Sequence, residues 1–122
     1  MPTTELVFYR ESNGSVPALE WLDGLGNSKA IVKCRAKLMR LAAMGHELRR
    51  PEADLLRDGI YELRIGLSHI NYRLLYFFFG ENTVIVSHGF TKEAKVPASE
   101  IALAIARRER FRLNPAAHSF RE

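Results

Sequence analysis

The rhythm of hydrophobic and polar positions changes several times along this 122-residue chain, and each rhythm predicts an element. Leu6-Val7-Phe8-Tyr9 is a short β-type run, closed by the turn-forming cluster Ser12-Asn13-Gly14-Ser15. Ser15 or Val16 before Pro17 marks a helix start, since Pro in the first turn lacks only a donor that has no intrahelical partner there. A short helix through Leu19, Trp21 and Leu22 follows and ends near Gly24 and Gly26. A longer helix begins after Asn27 or Ser28, whose side chains can cap its free N–H groups. Its apolar positions Ile31, Cys34, Leu38, Leu41 and Ala42 recur at spacings of three and four and form a core-facing stripe; Gly45 ends it. Lys29, Lys33, Arg35, Lys37 and Arg40 make the rest of this helix basic.

Residues 46–58, with Arg49-Arg50-Pro51, read as a polar connection. Beyond Asp58-Gly59 the texture becomes β-branched and aromatic in three runs, Ile60 to Ile65, Ile70 to Phe79 and Thr83 to Phe90, joined by short turn-like segments. Connections this short force antiparallel pairing, because a parallel crossover needs a dozen or more residues. After Pro97, Ala98 to Arg112 predicts a third helix with Ile101, Ala102 and Ile105 on one face, and Leu113 to Glu122 shows no periodicity. The expected fold is α+β in the order β-α-α-β-β-β-α: a small antiparallel meander sheet flanked by helices, one domain over 1–112, then a loosely ordered tail over 113–122.

Composition narrows the class. A single cysteine allows no intrachain disulfide and no Cys-x-x-Cys zinc cage, which suits a reducing cytosol. The first residues, with Glu5 and Glu11, do not read as a signal peptide, and no apolar run approaches the ~20 residues that span a bilayer. A cytoplasmic protein without a membrane partner is expected. The formal charge is +4. Residues 1–60 carry nine basic and eight acidic side chains, and residues 61–122 carry nine and six. The excess therefore sits in the second half, where Arg107, Arg108, Arg110 and Arg112 crowd around Glu109 and make a polyanion such as RNA a candidate partner.

Alternation places Arg64 and Arg73 in the middle of otherwise apolar strands. A guanidinium there is costly to desolvate unless it is paired or faces a cleft, so either both project from an open face suited to phosphate, or Glu62 pairs with one of them and the other is merely solvated. In the segment Ser87 to Pro97, His88 can exchange a proton near neutral pH, while Lys92 and Lys95 can stabilise a phosphorane or a leaving oxygen. No His or carboxylate spacing suits a metal, and no cofactor is expected. Cys34 lies on the apolar stripe of its helix, where packing explains it better than nucleophilic chemistry.

Leu56-Arg57-Asp58-Gly59-Ile60-Tyr61-Glu62-Leu63-Arg64-Ile65, Tyr72 to Phe77, His88-Gly89-Phe90-Thr91-Lys92, and Pro97 with Glu100-Ile101 together resemble the HigB-type, phage-derived branch of the RelE/ParE toxin superfamily over residues 4–111. The resemblance implies the toxin of a type II toxin-antitoxin pair: a metal-independent mRNA interferase acting on the ribosome or on free mRNA, neutralised by a helix-turn-helix antitoxin through which it would also oligomerise. It further implies that Arg73 holds the scissile phosphate and that Arg64 and Lys92 are neighbouring basic positions; His88 is a further catalytic candidate on its proton chemistry alone, not on the resemblance. Lys95, Arg107 and Arg108 are the expected substrate contacts. Glu62 and Glu93 stand where some relatives carry lysine, so the alternative is a catalytically inactive module that binds RNA or an antitoxin-like protein. Glutamates that neutralise Arg64 and Lys92 favour the module; basic groups converging on an open groove favour the enzyme.

Overall fold

The computed structural model describes residues 4–92 and 95–122. Ten elements follow one another: β1 (Glu5–Tyr9), α1 (Pro17–Asp23), α2 (Ser28–Met44), a 3-10 turn (Gly45–Glu47), β2 (Ala53–Arg57), β3 (Ile60–Leu67), β4 (Ile70–Phe79), β5 (Thr83–Thr91), α3 (Ala98–Leu113) and β6 (Ser119–Phe120). The fold is mixed α+β, with one six-stranded sheet in the order β2-β3-β4-β5-β1-β6.

Alternation along the strands supplies a core on each side of this sheet. One core joins Phe8, Leu63, Ile65, Tyr72, Leu74, Tyr76, Val84 and Val86 to Ala18 and Leu22 of α1 and to Ala30, Cys34, Leu38 and Leu41 of α2. The other joins Val7, Tyr9, Ile60, Leu75, Phe77 and Ile85 to Val96 and to Ile101, Ala104 and Phe111 of α3. The sheet is a middle layer, with α1 and α2 on one face and α3 on the other. The helix starts follow local chemistry: Pro17 opens α1, and the Asn27 side chain accepts from Ala30 N–H at the start of α2.

Four features depart from the expectation. Residues 53–57, read as connection, form β2, an edge strand paired antiparallel to β3. An edge strand with one neighbour tolerates the charges that hid it, Asp54 and Arg57. The sheet is not wholly antiparallel, because β1 runs parallel to β5, with Phe8 beside Val86. The buried stripe of α3 is Ile101, Ala104, Arg107 and Phe111, and Ala102 faces solvent. The C-terminal segment is docked: β6 pairs with β1, and the His118 ring stacks on Tyr9 at 5.2 Å. Among the described residues, no helix is long and apolar enough to cross a membrane.

Candidate functional site

The sheet face that carries α3 is left uncovered near β2, β3 and the start of β4, and polar chemistry collects there. Two tight turns set the register. Asp58-Gly59 and Ser68-His69 all adopt positive φ, as two-residue hairpin turns demand, and place Arg64 directly opposite Arg73. Both arginines and Glu62 project to the same side. The Glu62 carboxylate is only 2% exposed, and its Oε1 accepts from Arg64 Nε at 3.0 Å and from Arg73 Nη1 at 2.8 Å. A carboxylate at that depth is tolerable because two guanidiniums meet it. Asp54 on β2 extends the chain of alternating charge, reaching Arg64 Nη2 at 3.2 Å and Arg50 Nε at 3.1 Å. Hydrogen bonding from Arg50, with Arg64 close by, holds the Asp54 carboxyl below its usual range.

Above this network lies a groove of about 880 Å³, bordered by Arg57, Arg64, Arg73 and Lys95 against Asp54 and Glu62, with Val96, Pro97 and Ile101 as an apolar wall. Arg57 is paired with Asp58 at 2.6 Å, so among the described residues it is Arg64, Arg73 and Lys95 against Asp54 and Glu62 that leave the groove positive. Arg64 stays part-exposed, so its guanidinium edge can meet an anion while Glu62 fixes its Nε side. Among the described residues, no cluster of three or more His, Cys, Asp or Glu side chains could hold a metal ion.

Arg64, Arg73 and Lys95 thus share one groove, and the other expected site residues lie elsewhere. Lys92 borders a separate depression of about 680 Å³ beside His69, Asn71, Tyr72 and Thr91. Glu93, the second acidic departure noted in the sequence, lies outside the described residues. His88 is buried under α3, with Nδ1 2.8 Å from Ser87 Oγ and Nε2 3.1 Å from Glu100 Oε1. Arg107 Nη1 also donates to Ser87 Oγ, at 3.4 Å. The network is consistent if Ser87 donates to Nδ1 and Nε2–H donates to Glu100, which commits both ring nitrogens. Burial depresses the His88 pKa, the Arg107 charge adds to this, and Glu100 only partly offsets it. The groove has no access to a free nitrogen of His88.

The arginine run is not a uniform solvated face either. Arg107 is 8% exposed, stacks on the Tyr9 ring and pairs with Glu11 at 3.6 Å. Arg108 Nη1 donates to the Asp58 carbonyl and crosses the β2–β3 turn so closely that a Cβ on Gly59 would sit 2.8 Å from it. Packing on Tyr9 and over the turn takes both from the role of freely accessible RNA contacts, whereas Arg110 and Arg112 remain exposed. Sequence reasoning missed Asp54 and Arg57 as groove residues and Glu100 as the partner of His88. A signal for the first two was present: Asp58-Gly59 is a two-residue hairpin turn and requires a strand on each side.

No curated protein matches the chain. The sequence model of the family described as phage-derived protein Gp49-like (DUF891) matches residues 20–109, a span that includes the end of α1, all of α2 and β2 to β5, and most of α3. The match covers well over half of the chain and every residue bordering the positive groove, and so the protein belongs to the Gp49-like family of phage-derived proteins.

Proposed function

We propose that this protein is the toxin of a type II toxin-antitoxin pair, of the HigB kind, and cleaves mRNA in the groove bordered by Arg64, Arg73 and Lys95. The convergence of these three cations from two adjacent strands and the approach to α3 carries the reading. The step is transesterification. The RNA 2′ oxygen attacks the adjacent phosphorus, the bond to the 5′ oxygen breaks, one proton leaves the 2′ hydroxyl and one reaches the departing oxygen. Neither oxidant nor reductant is consumed. Arg73 and Arg64 stabilise the extra negative charge on the phosphorane, the kind of contact that contributes most to such reactions. A helix-turn-helix antitoxin is the proposed neutralising partner, and translating ribosomes the proposed setting.

One observation favours the second reading, a non-cleaving module. Glu62 already accepts from both arginines, so part of their charge is committed within the protein. Induced expression of wild type and Arg73→Ala in a bacterium, followed by growth and mapping of new mRNA 5′ ends, separates the two. Growth arrest with new ends in wild type, both absent in Arg73→Ala, supports cleavage. Neither arrest nor new ends in wild type supports the module, and arrest that survives Arg73→Ala moves the site elsewhere.

A further inference from the structure

The solvent side of α2 carries a second apolar stripe that the fold does not use. Val32, Ala36, Met39 and Ala43 recur at spacings of four, three and four, and all four are exposed, Val32 at 68% and Met39 at 73%. At 100° per residue they centre on the side of the helix opposite Ala30, Cys34, Leu38 and Leu41, which face the core. A shallow depression lined by Ser28, Lys29, Val32, Lys33 and Ala36 opens along the first half of this stripe. A helix with apolar residues on both faces is one that expects a second neighbour.

Charge identifies that neighbour. The helix holds five basic residues, Lys29, Lys33, Arg35, Lys37 and Arg40, and no acidic one. Glu52 pairs with Lys37 and Arg40, and Glu122 pairs with Arg35, which leaves a surplus of three positive charges. Lys29, Lys33 and Arg40 border the apolar stripe on one flank and Arg35 on the other. A second copy of this chain would set the same cations against themselves, which disfavours an α2–α2 pair. RNA would meet the cations but gain nothing from Val32 and Met39.

We infer that the outer face of α2 is a docking surface for a partner protein's amphipathic helix whose apolar stripe is flanked by aspartate and glutamate. Such a helix lays its stripe along Val32, Ala36 and Met39 and its carboxylates against Lys29 and Lys33, the helix-in-groove mode of recognition. The inference stands on the α2 surface alone and holds whether or not the protein cleaves RNA.

The test uses a helical peptide of about 18 residues, roughly the length of α2, with a leucine stripe flanked by glutamates, together with a scrambled peptide of the same composition. Binding to the full chain is followed by fluorescence anisotropy, and its footprint by amide chemical shifts. Binding of the ordered peptide, centred on residues 29–43, is expected. Val32→Glu/Met39→Glu should weaken it by about tenfold or more, with the thermal unfolding midpoint unchanged because both positions are exposed. Lys29→Glu/Lys33→Glu should also weaken it, and a peptide with lysines in place of the glutamates should restore it. No binding, equal binding of the scrambled peptide, or a footprint away from α2 would overturn the inference. So would a dimer in sedimentation that Val32→Glu/Met39→Glu dissolves, or binding to phosphatidylglycerol vesicles without binding to the peptide.

Discussion

The Glu62 carboxylate and the Arg73 guanidinium meet at 2.8 Å on the floor of the groove, where the Glu62 side chain is shut away from solvent. Removing one partner of a buried pair costs roughly 3 to 5 kcal/mol, because the other charge is left uncompensated. Arg64, which also binds Glu62, is part-exposed and recovers some hydration, so the expected loss for Glu62→Gln falls to about 2 to 3 kcal/mol. Urea unfolding measures it. A loss near zero would mean that the carboxylate is solvated in solution, and that the arginines do not depend on it for their placement.

Gly89 and Trp21 make a second test, this time of packing. Gly89 sits in β5 opposite Leu74, and a Cβ built there would fall inside the Trp21 indole of α1. The ring cannot slide away as a flexible side chain would, so Gly89→Ala is expected to cost about 1 to 3 kcal/mol by overpacking. Gly66 is the contrast. Its nearest neighbour for a Cβ is Asn71 Oδ1 at 4.0 Å, and Gly66→Ala should be neutral or stabilising by about 0.5 to 1 kcal/mol. Paired thermal melts decide, and equal shifts for the two variants would contradict the packing of α1 on β5.

His88 predicts a pH dependence with a definite sign. Burial and Arg107 lower its folded-state pKa below the ordinary value of 6.5, so the unfolded chain binds the proton more readily. The stability this group contributes is present above about pH 6.5 and is lost as the pH falls from there through the folded pKa. His88→Gln, which cannot titrate, should flatten that part of the curve of unfolding midpoint against pH. A wild-type midpoint that rises on acidification through this window would reverse the assignment.

How much of this was legible in the sequence depended on periodicity. The helices and the β3–β4–β5 meander carry strong period-3.6 and strand-type signals, and the Asn27 cap and the Gly45 stop stood at the expected ends. β2 was hidden because an edge strand with one neighbour mixes Asp54 and Arg57 with Leu55 and Leu56, and no clean alternation survives. β6 is two residues long and is held by tertiary contacts that no local pattern encodes. At the site, alternation put Glu62 and Arg64 on one face of β3, whereas their sharing that face with Arg73 depends on the β3–β4 register set by the Ser68-His69 turn. Helix spacing puts Arg107 in line with Ala104 and Phe111, but a guanidinium reads as solvated until the partners that let it turn inward, Tyr9, Ser87 and Glu11, are known, and these are distant in sequence.

Cys34 yields a chemical prediction. It is fully buried between α2 and the sheet, and desolvation pushes its thiol up to about 11, so almost no thiolate exists at neutral pH. A thiol reagent such as dithionitrobenzoate should label it only as fast as the chain opens, and promptly in denaturant. Rapid stoichiometric labelling of the native protein would mean that α2 is not seated as described.

The docked C-terminus predicts a ranking of two neighbouring substitutions. His118 lies parallel to Tyr9, its Nδ1–H donates to the Arg10 carbonyl at 2.8 Å, and the ring is buried. Losing such a stack costs about 0.5 to 1.5 kcal/mol, and losing the hydrogen bond leaves a part-buried carbonyl short of a partner, so His118→Ala should cost about 2 kcal/mol. Arg121 pairs with Glu5 at 2.5 Å, but both side chains are about half exposed, and surface pairs contribute between zero and about 1 kcal/mol. His118→Ala should therefore lower the unfolding midpoint clearly more than Arg121→Ala, and only the Arg121 pair should weaken in high salt. If the order were reversed, the exposed ion pair and not the buried ring would be what fastens β6 to β1.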